Sequence, residues 1–208
     1  MRSTALLMLA LVLAGCGGNG DGETARMDCD VTPEGSSGPP EIEPLEEGKT
    51  HRLAVKTNKG SFTVELDLKS APCTTASIAD LAGKGFFDGT IFHRIVPGFV
   101  IQGGDPTGSG TGGPGYTTQD VPPRDAAYVQ GTVAMAKSPA EPPGAGGSQF
   151  FIVTSPDTGL TPDYALVGKV VKGQRVVAAI GELGDPASGG SGVPLQPVVI
   201  EGAQVAKR

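Results

Sequence analysis

Between residues 52 and 68 apolar side chains recur at every second position: Leu53 and Val55 in RLAVKT, then Phe62, Val64, Leu66 and Leu68 in SFTVELDL. A period of two is that of a half-buried strand, and the intervening Asn58-Lys59-Gly60 predicts a hairpin turn. The period then changes. Pro72 suits the first position of a helix, Ile78, Leu81 and Ala82 fall on one helical face, and Gly83 and Gly85 mark its end. Strands return with TIFHRIV and FVIQG around a turn at Pro97-Gly98, followed by a long Gly/Pro-rich loop over 103–123. TVAMA and SQFFIV are further strands, ALVGKVV leads into a short helix near 174–180, and PVVIEGAQVA closes the pattern. Many short strands with two helices predict an antiparallel barrel with helical caps, because parallel βαβ units need more helices.

The strand period also sorts candidate site residues. In FHRIV, Arg94 points with Phe92 and Val96, while His93 points the other way. Val100 and Gln102 share a face, as do Gln149 and Phe151, with Phe150 opposed. One surface can therefore collect a guanidinium, two amides and an apolar floor, with Phe99 leaning over it from the turn. Phe150, Ile101, Val133 and Met135 read as core.

The chain before residue 51 reads differently. Met1 and Arg2 precede an apolar run over 5–14, about half the length that spans a bilayer. The run ends in LAGC at 13–16, which resembles a bacterial lipobox and implies cleavage before Cys16 and a lipid on its thiol. The expected organisation is a signal peptide over 1–15, a lipidated Cys16 with an acidic flexible linker over 16–50, and one domain over 51–208.

Charge agrees with that division. The linker carries nine acidic and two basic residues, a net of −7, which with Arg2 accounts for the chain's −6 and leaves the domain balanced. A balanced domain offers no basic face for nucleic acid. With Cys16 assigned, Cys29 and Cys73 remain, and they have two readings. They form a disulfide, as an oxidising compartment permits, or Cys73 is a free thiol near a helix N-terminus.

Two other signals are set aside. GSGTGG at 108–113 matches a dinucleotide-binding fingerprint by letters, but Pro106 precedes it, Pro114 follows it and no helix is predicted after it. With two His, His51 and His93, and no CxxC, no metal site is expected.

The segment FHRIVPGFVIQGGDPTGSGTGG at 92–113 resembles the signature of cyclophilins. GTVAMA and GGSQFFIVT resemble the second block of that family, and ALVGKV its next strand. The resemblance covers 52–206 and implies a closed eight-stranded antiparallel β-barrel capped by two α-helices. It also implies peptidyl-prolyl cis/trans isomerase activity with no cofactor. In the family's terms Arg94 resembles the catalytic arginine and Gln102 the amide that orients it. Phe99, Val100, Phe151 and Leu160 resemble the proline pocket. Ala136, Lys137 and Gln149 resemble the groove for residues before the proline, Lys137 through its backbone. Gly159 stands where a rim Trp is frequent, and Tyr164 where a rim His is. The expected partners are proline-containing segments of exported proteins and a membrane held through the lipid, with the chain a monomer in the cell envelope. A proline-binding scaffold or chaperone module with little turnover is the competing reading.

Overall fold

The computed structural model describes Cys29, 31–35 and 40–206. The expected signal peptide over 1–15 and the expected lipidation of Cys16 fall outside the described residues. In chain order the elements are β1 (Val31–Pro33), β2 (Arg52–Thr57), β3 (Gly60–Leu66), α1 (Pro72–Gly83), β4 (Arg94–Val96), β5 (Val100–Gly103) and β6 (Tyr116–Gln119). They continue with β7 (Thr132–Met135), β8 (Ala145–Gly146), β9 (Phe150–Val153), β10 (Leu166–Lys172), α2 (Gln174–Gly181) and β11 (Ile200–Ala206).

The hairpin forms where the alternation predicts it. Leu53 faces Val64 and Val55 faces Phe62, all buried. Its turn is closed by the Thr57 hydroxyl, which donates to Gly60 O at 2.7 Å and accepts from Lys59 N at 3.0 Å. α1 has Pro72 in its first turn but no side-chain cap of its own. Asp120, 46 residues on, takes that part: its carboxylate accepts from Thr74 N at 2.6 Å.

Eight strands make one antiparallel sheet in the order β11-β2-β3-β10-β7-β9-β5-β4. It curls into an open half-barrel, not the closed barrel expected. The two edges, β11 and β4, share no ladder among the described residues. The cause is local. β4 has three residues, and Ile95 N donates to Gly192 O at 2.7 Å, in a loop, where a neighbouring strand would otherwise be. Pro194 and Pro197 deprive the stretch before β11 of two donors, so no regular ladder crosses the seam. Phe92 N to Val198 O at 2.9 Å and Ile200 N to Thr90 O at 2.8 Å bond the seam piecemeal.

A second sheet, β1-β6-β8, lies outside the expected pattern. β6 falls within the stretch read as loop, and β1 falls within the stretch read as flexible linker. Cys29 and Cys73 are joined as a disulfide with Cα atoms 5.3 Å apart. The 16–50 segment is thus not wholly a spacer: its described part pairs with β6, and Leu45 packs against the core. α1 is buried on both sides as a result. Ile78, Leu81 and Ala82 face the main core, while Thr74 and Ser77 meet Thr118 and Tyr116 through hydroxyl pairs at 3.0 and 2.9 Å.

The half-barrel has two apolar faces. The larger core contains Phe62, Phe92, Ile95, Ile101, Phe150 and Ile152. The smaller contains Val100, Tyr128, Ala134, Phe151 and Val153, with Phe99, Ala136, Leu160, Tyr164 and Leu166 packed against it.

Candidate active site

Register places the site. Arg94 pairs with Gln102 across β4 and β5, Gln102 with Phe151 across β5 and β9, and Phe151 with Ala134 across β9 and β7. Cross-strand partners share a face, so this row sets a cation, an amide and an aromatic ring side by side on the smaller apolar face. Phe92 does not join them. Residues 92–93 lie outside β4, and Phe92 is fully buried in the larger core, so the alternation read through FHRIV breaks one residue before Arg94.

Arg94, Phe99, Val100, Gln102, Ala136, Lys137, Phe151, Leu160 and Tyr164 line a single hollow of about 190 Å³. Gln149 stands just beyond it, joined by hydrogen bonds. Arg94 Nη1 donates to Gln102 Oε1 at 3.3 Å, Gln102 Nε2 to Gln149 Oε1 at 3.1 Å, and Gln149 Nε2 to Gly112 O at 2.9 Å. Arg94 Nε donates to Gly190 O at 3.0 Å. Among the described residues Arg94 has no ion-pair partner, and Nη2 has no hydrogen-bond partner. Burial lowers its pKa from the ordinary value, opposed by Tyr164, yet a guanidinium starts high enough to stay charged.

Lys137 behaves differently. Its side chain is 4% exposed, with the ammonium 2.7 Å from Asp163 and 3.1 Å from Glu141 O, and 5.7 Å from the Tyr164 ring centre. It braces the wall of the hollow. Gly159, where a rim Trp is frequent in cyclophilins, has φ +66°, and its N–H donates to Asp157 Oδ1 at 3.0 Å. A side chain there would be strained.

Two residues that matter were missed by the sequence reading. Tyr128 is 1% exposed beneath the hollow, in edge contact with Tyr164 and tilted against Phe151. Its hydroxyl donates to Tyr164 O at 2.7 Å and accepts from Tyr164 N at 2.9 Å, fixing the rim. No period marks it in the sequence.

Asp105 is fully buried at the root of the GSGTGG loop. It accepts from Thr107 N at 2.7 Å, Thr107 Oγ1 at 2.8 Å, Gly110 N at 2.6 Å and Gly112 N at 3.1 Å. The loop wraps a carboxylate and not a phosphate. Burial alone would raise the Asp105 pKa, but the bonds from Thr107, Gly112 and Gly110 outweigh it and hold it at about 2. The Asp before a Gly-rich run was the available signal, since such residues bond neighbouring N–H groups.

A half-barrel that carries an isolated arginine, two amides and an apolar hollow on one face is the architecture of a prolyl isomerase. Residues 52–205 match the family described as cyclophilin type peptidyl-prolyl cis-trans isomerase/CLD. The chain is 37% identical to peptidyl-prolyl cis-trans isomerase B of Streptomyces anulatus over 74% of its own length and 95% of that protein's. It is 44% identical to peptidyl-prolyl cis-trans isomerase B of Bacillus subtilis over 56% of its length and 78% of that protein's. Among solved structures it resembles a cyclophilin type isomerase of Cryptosporidium parvum determined in the presence of the dipeptide Ala-Pro. The TM-score is 0.66 at 28% identity, covering 76% of this chain and 99% of the other. The chain belongs to the cyclophilin-type peptidyl-prolyl cis-trans isomerase family, and is an enzyme of that class.

Proposed function

We propose that this enzyme turns X-Pro bonds in exported proteins, and so assists their folding, from a lipid anchor on Cys16. Arg94 is the catalytic residue, Gln102 and Gln149 position it, and Phe99, Val100, Phe151 and Leu160 receive the prolyl ring. The single observation that carries the chemistry is an arginine with no acidic partner among the described residues, beside an apolar hollow.

A peptide bond resists rotation by about 18–20 kcal/mol because its nitrogen lone pair is delocalised. Uncatalysed exchange at X-Pro takes tens to hundreds of seconds. Twisting the bond returns the lone pair to the prolyl nitrogen, making it an acceptor that it is not in either planar isomer. A guanidinium N–H that donates to this nitrogen stabilises the twisted state alone, which is differential binding of the transition state. The apolar hollow grips the ring while the amide row keeps the guanidinium in place. No bond is made or broken, so neither nucleophile nor proton transfer is required.

The apolar run, LAGC and the Cys29–Cys73 pair support the exported, anchored part of the reading. The chemistry is tested by isomerisation of an X-Pro peptide with the wild-type chain and Arg94→Ala. The expected outcome is acceleration that falls at least a hundredfold in the variant while peptide binding persists. Equal acceleration by both would overturn the mechanism. Binding without acceleration by the wild-type chain would favour a scaffold.

A further inference from the structure

The hollow continues into a second cavity of about 380 Å³, and Gln102, Ala136 and Lys137 line both. Part of the second wall comes from outside the half-barrel. Glu34 lines it, one residue after β1. Glu34 is held there by its neighbours: Val31–Pro33 pair with β6, Glu34 N donates to Gly115 O at 2.7 Å, and Cys29 is bonded to Cys73 in α1. Glu34 is therefore brought to the cavity by a stretch tied down at Cys29 and again over 31–34.

Glu141 lines the same cavity, with one carboxylate oxygen accepting from Ser138 N. Among the described residues Lys137 is the one cation in this wall, and Asp163 neutralises it. Glu34 and Glu141 form no ion pair among the described residues. A cavity joined to the ring-binding hollow thus carries two carboxylate residues with no ion-pair partner among the described residues.

An extended peptide presents alternate side chains to the same side. With the prolyl ring in the hollow, the residue two places earlier also faces the protein, about 7 Å along the chain. Ala136 and Gln149 line the way to the second cavity, in the direction the resemblance assigns to residues before the proline. We infer that the second cavity selects a lysine or arginine two places before the substrate proline, with Glu34 as the specificity-determining residue. The inference rests on the isomerase reading above and adds to it a substrate class.

The effect is modest, because Glu34 is exposed. Exposed ion pairs correspond to at most about a fivefold change in affinity. The test uses three tetrapeptides that differ only in having Lys, Ala or Glu two places before proline. They are assayed with the full chain and with Glu34→Gln and Glu34→Lys at low salt, by isomerisation and by fluorescence anisotropy. In the wild-type chain kcat/KM is expected to run Lys over Ala over Glu, with Lys about three- to fivefold above Ala. The Lys-to-Ala ratio should fall toward one in Glu34→Gln and below one in Glu34→Lys. It should also shrink as salt is raised. A wild-type ratio of one, or a ratio unchanged by Glu34→Gln, overturns the inference and leaves the isomerase reading intact. If no peptide is turned over, the isomerase reading fails, and the anisotropy series alone decides the charge preference by the same ratios.

Discussion

A guanidinium partly out of water and facing no carboxylate costs free energy, which at Arg94 is offset by two neutral acceptors, Gly190 O and Gln102 Oε1. This arrangement favours Arg over Lys, because a single ammonium cannot reach both acceptors and a substrate at once. Arg94→Lys is therefore expected to lower kcat/KM by about a hundredfold, with near-unchanged thermal stability, in a peptide isomerisation assay. Tyr128→Phe should act through KM. It removes the hydroxyl that ties both polar atoms of the Tyr164 backbone, at a cost of about 1–3 kcal/mol, and loosens the wall shared by Tyr164 and Leu160. Chemical denaturation and a KM-against-kcat comparison would check it. These two residues differ in how much of them is legible. Arg94 stands beside FVIQ, where the strand period and the following amide point to one face. Tyr128 stands in an irregular stretch, and its partner lies 36 residues away, so only the closed fold gives it a role.

Among the elements, the 105–112 loop carries a carboxylate whose contribution depends on pH. The Asp105 carboxylate is depressed to about 2, against about 3.9 in an unfolded chain. Its contribution is therefore full above about pH 4 and lost as pH falls through 2. His93, beside this loop, works in a higher window. Burial first, and Arg94 after it, lower its pKa, with Asp105 opposing. Its neutral ring has no hydrogen-bond partner among the described residues, so its contribution is lost as pH drops below about 6.5. Urea midpoints should fall as pH drops below about 6.5 in the wild-type chain, and His93→Phe should flatten that slope.

The same scale shows what patterning reveals. The hairpin of β2 and β3 and the helix α1 follow from periods of two and of 3.6, which burial enforces locally. The second sheet was hidden because its strands have two to four residues among Gly and Pro. Buried hydroxyl pairs hold it to α1, and those leave no apolar period. Closure of the barrel failed for a similar reason: it depends on whether two distant edges meet, and Pro194 and Pro197 decide that locally against a ladder.

For the whole molecule the Cys29–Cys73 bond matters most. It closes a loop with a sequence separation of 44, and the chain-entropy model gives about 4 kcal/mol for such a loop. Replacing both cysteines by Ser should lower Tm by about 10 °C in calorimetry and speed proteolysis ahead of residue 40. A chain with Cys16→Ala is expected to leave the membrane fraction while retaining isomerase activity, as fractionation would show. Fixing Cys29 also bears on the anchor proposed at Cys16. A leash that ran free from Cys16 to residue 50 would let the enzyme roam about 120 Å from a bilayer. With residue 29 tied down, an anchor on Cys16 of the kind proposed above would leave 12 residues between it and Cys29, a reach of about 45 Å. Such an enzyme would patrol a thin layer at the surface and meet clients as they emerge.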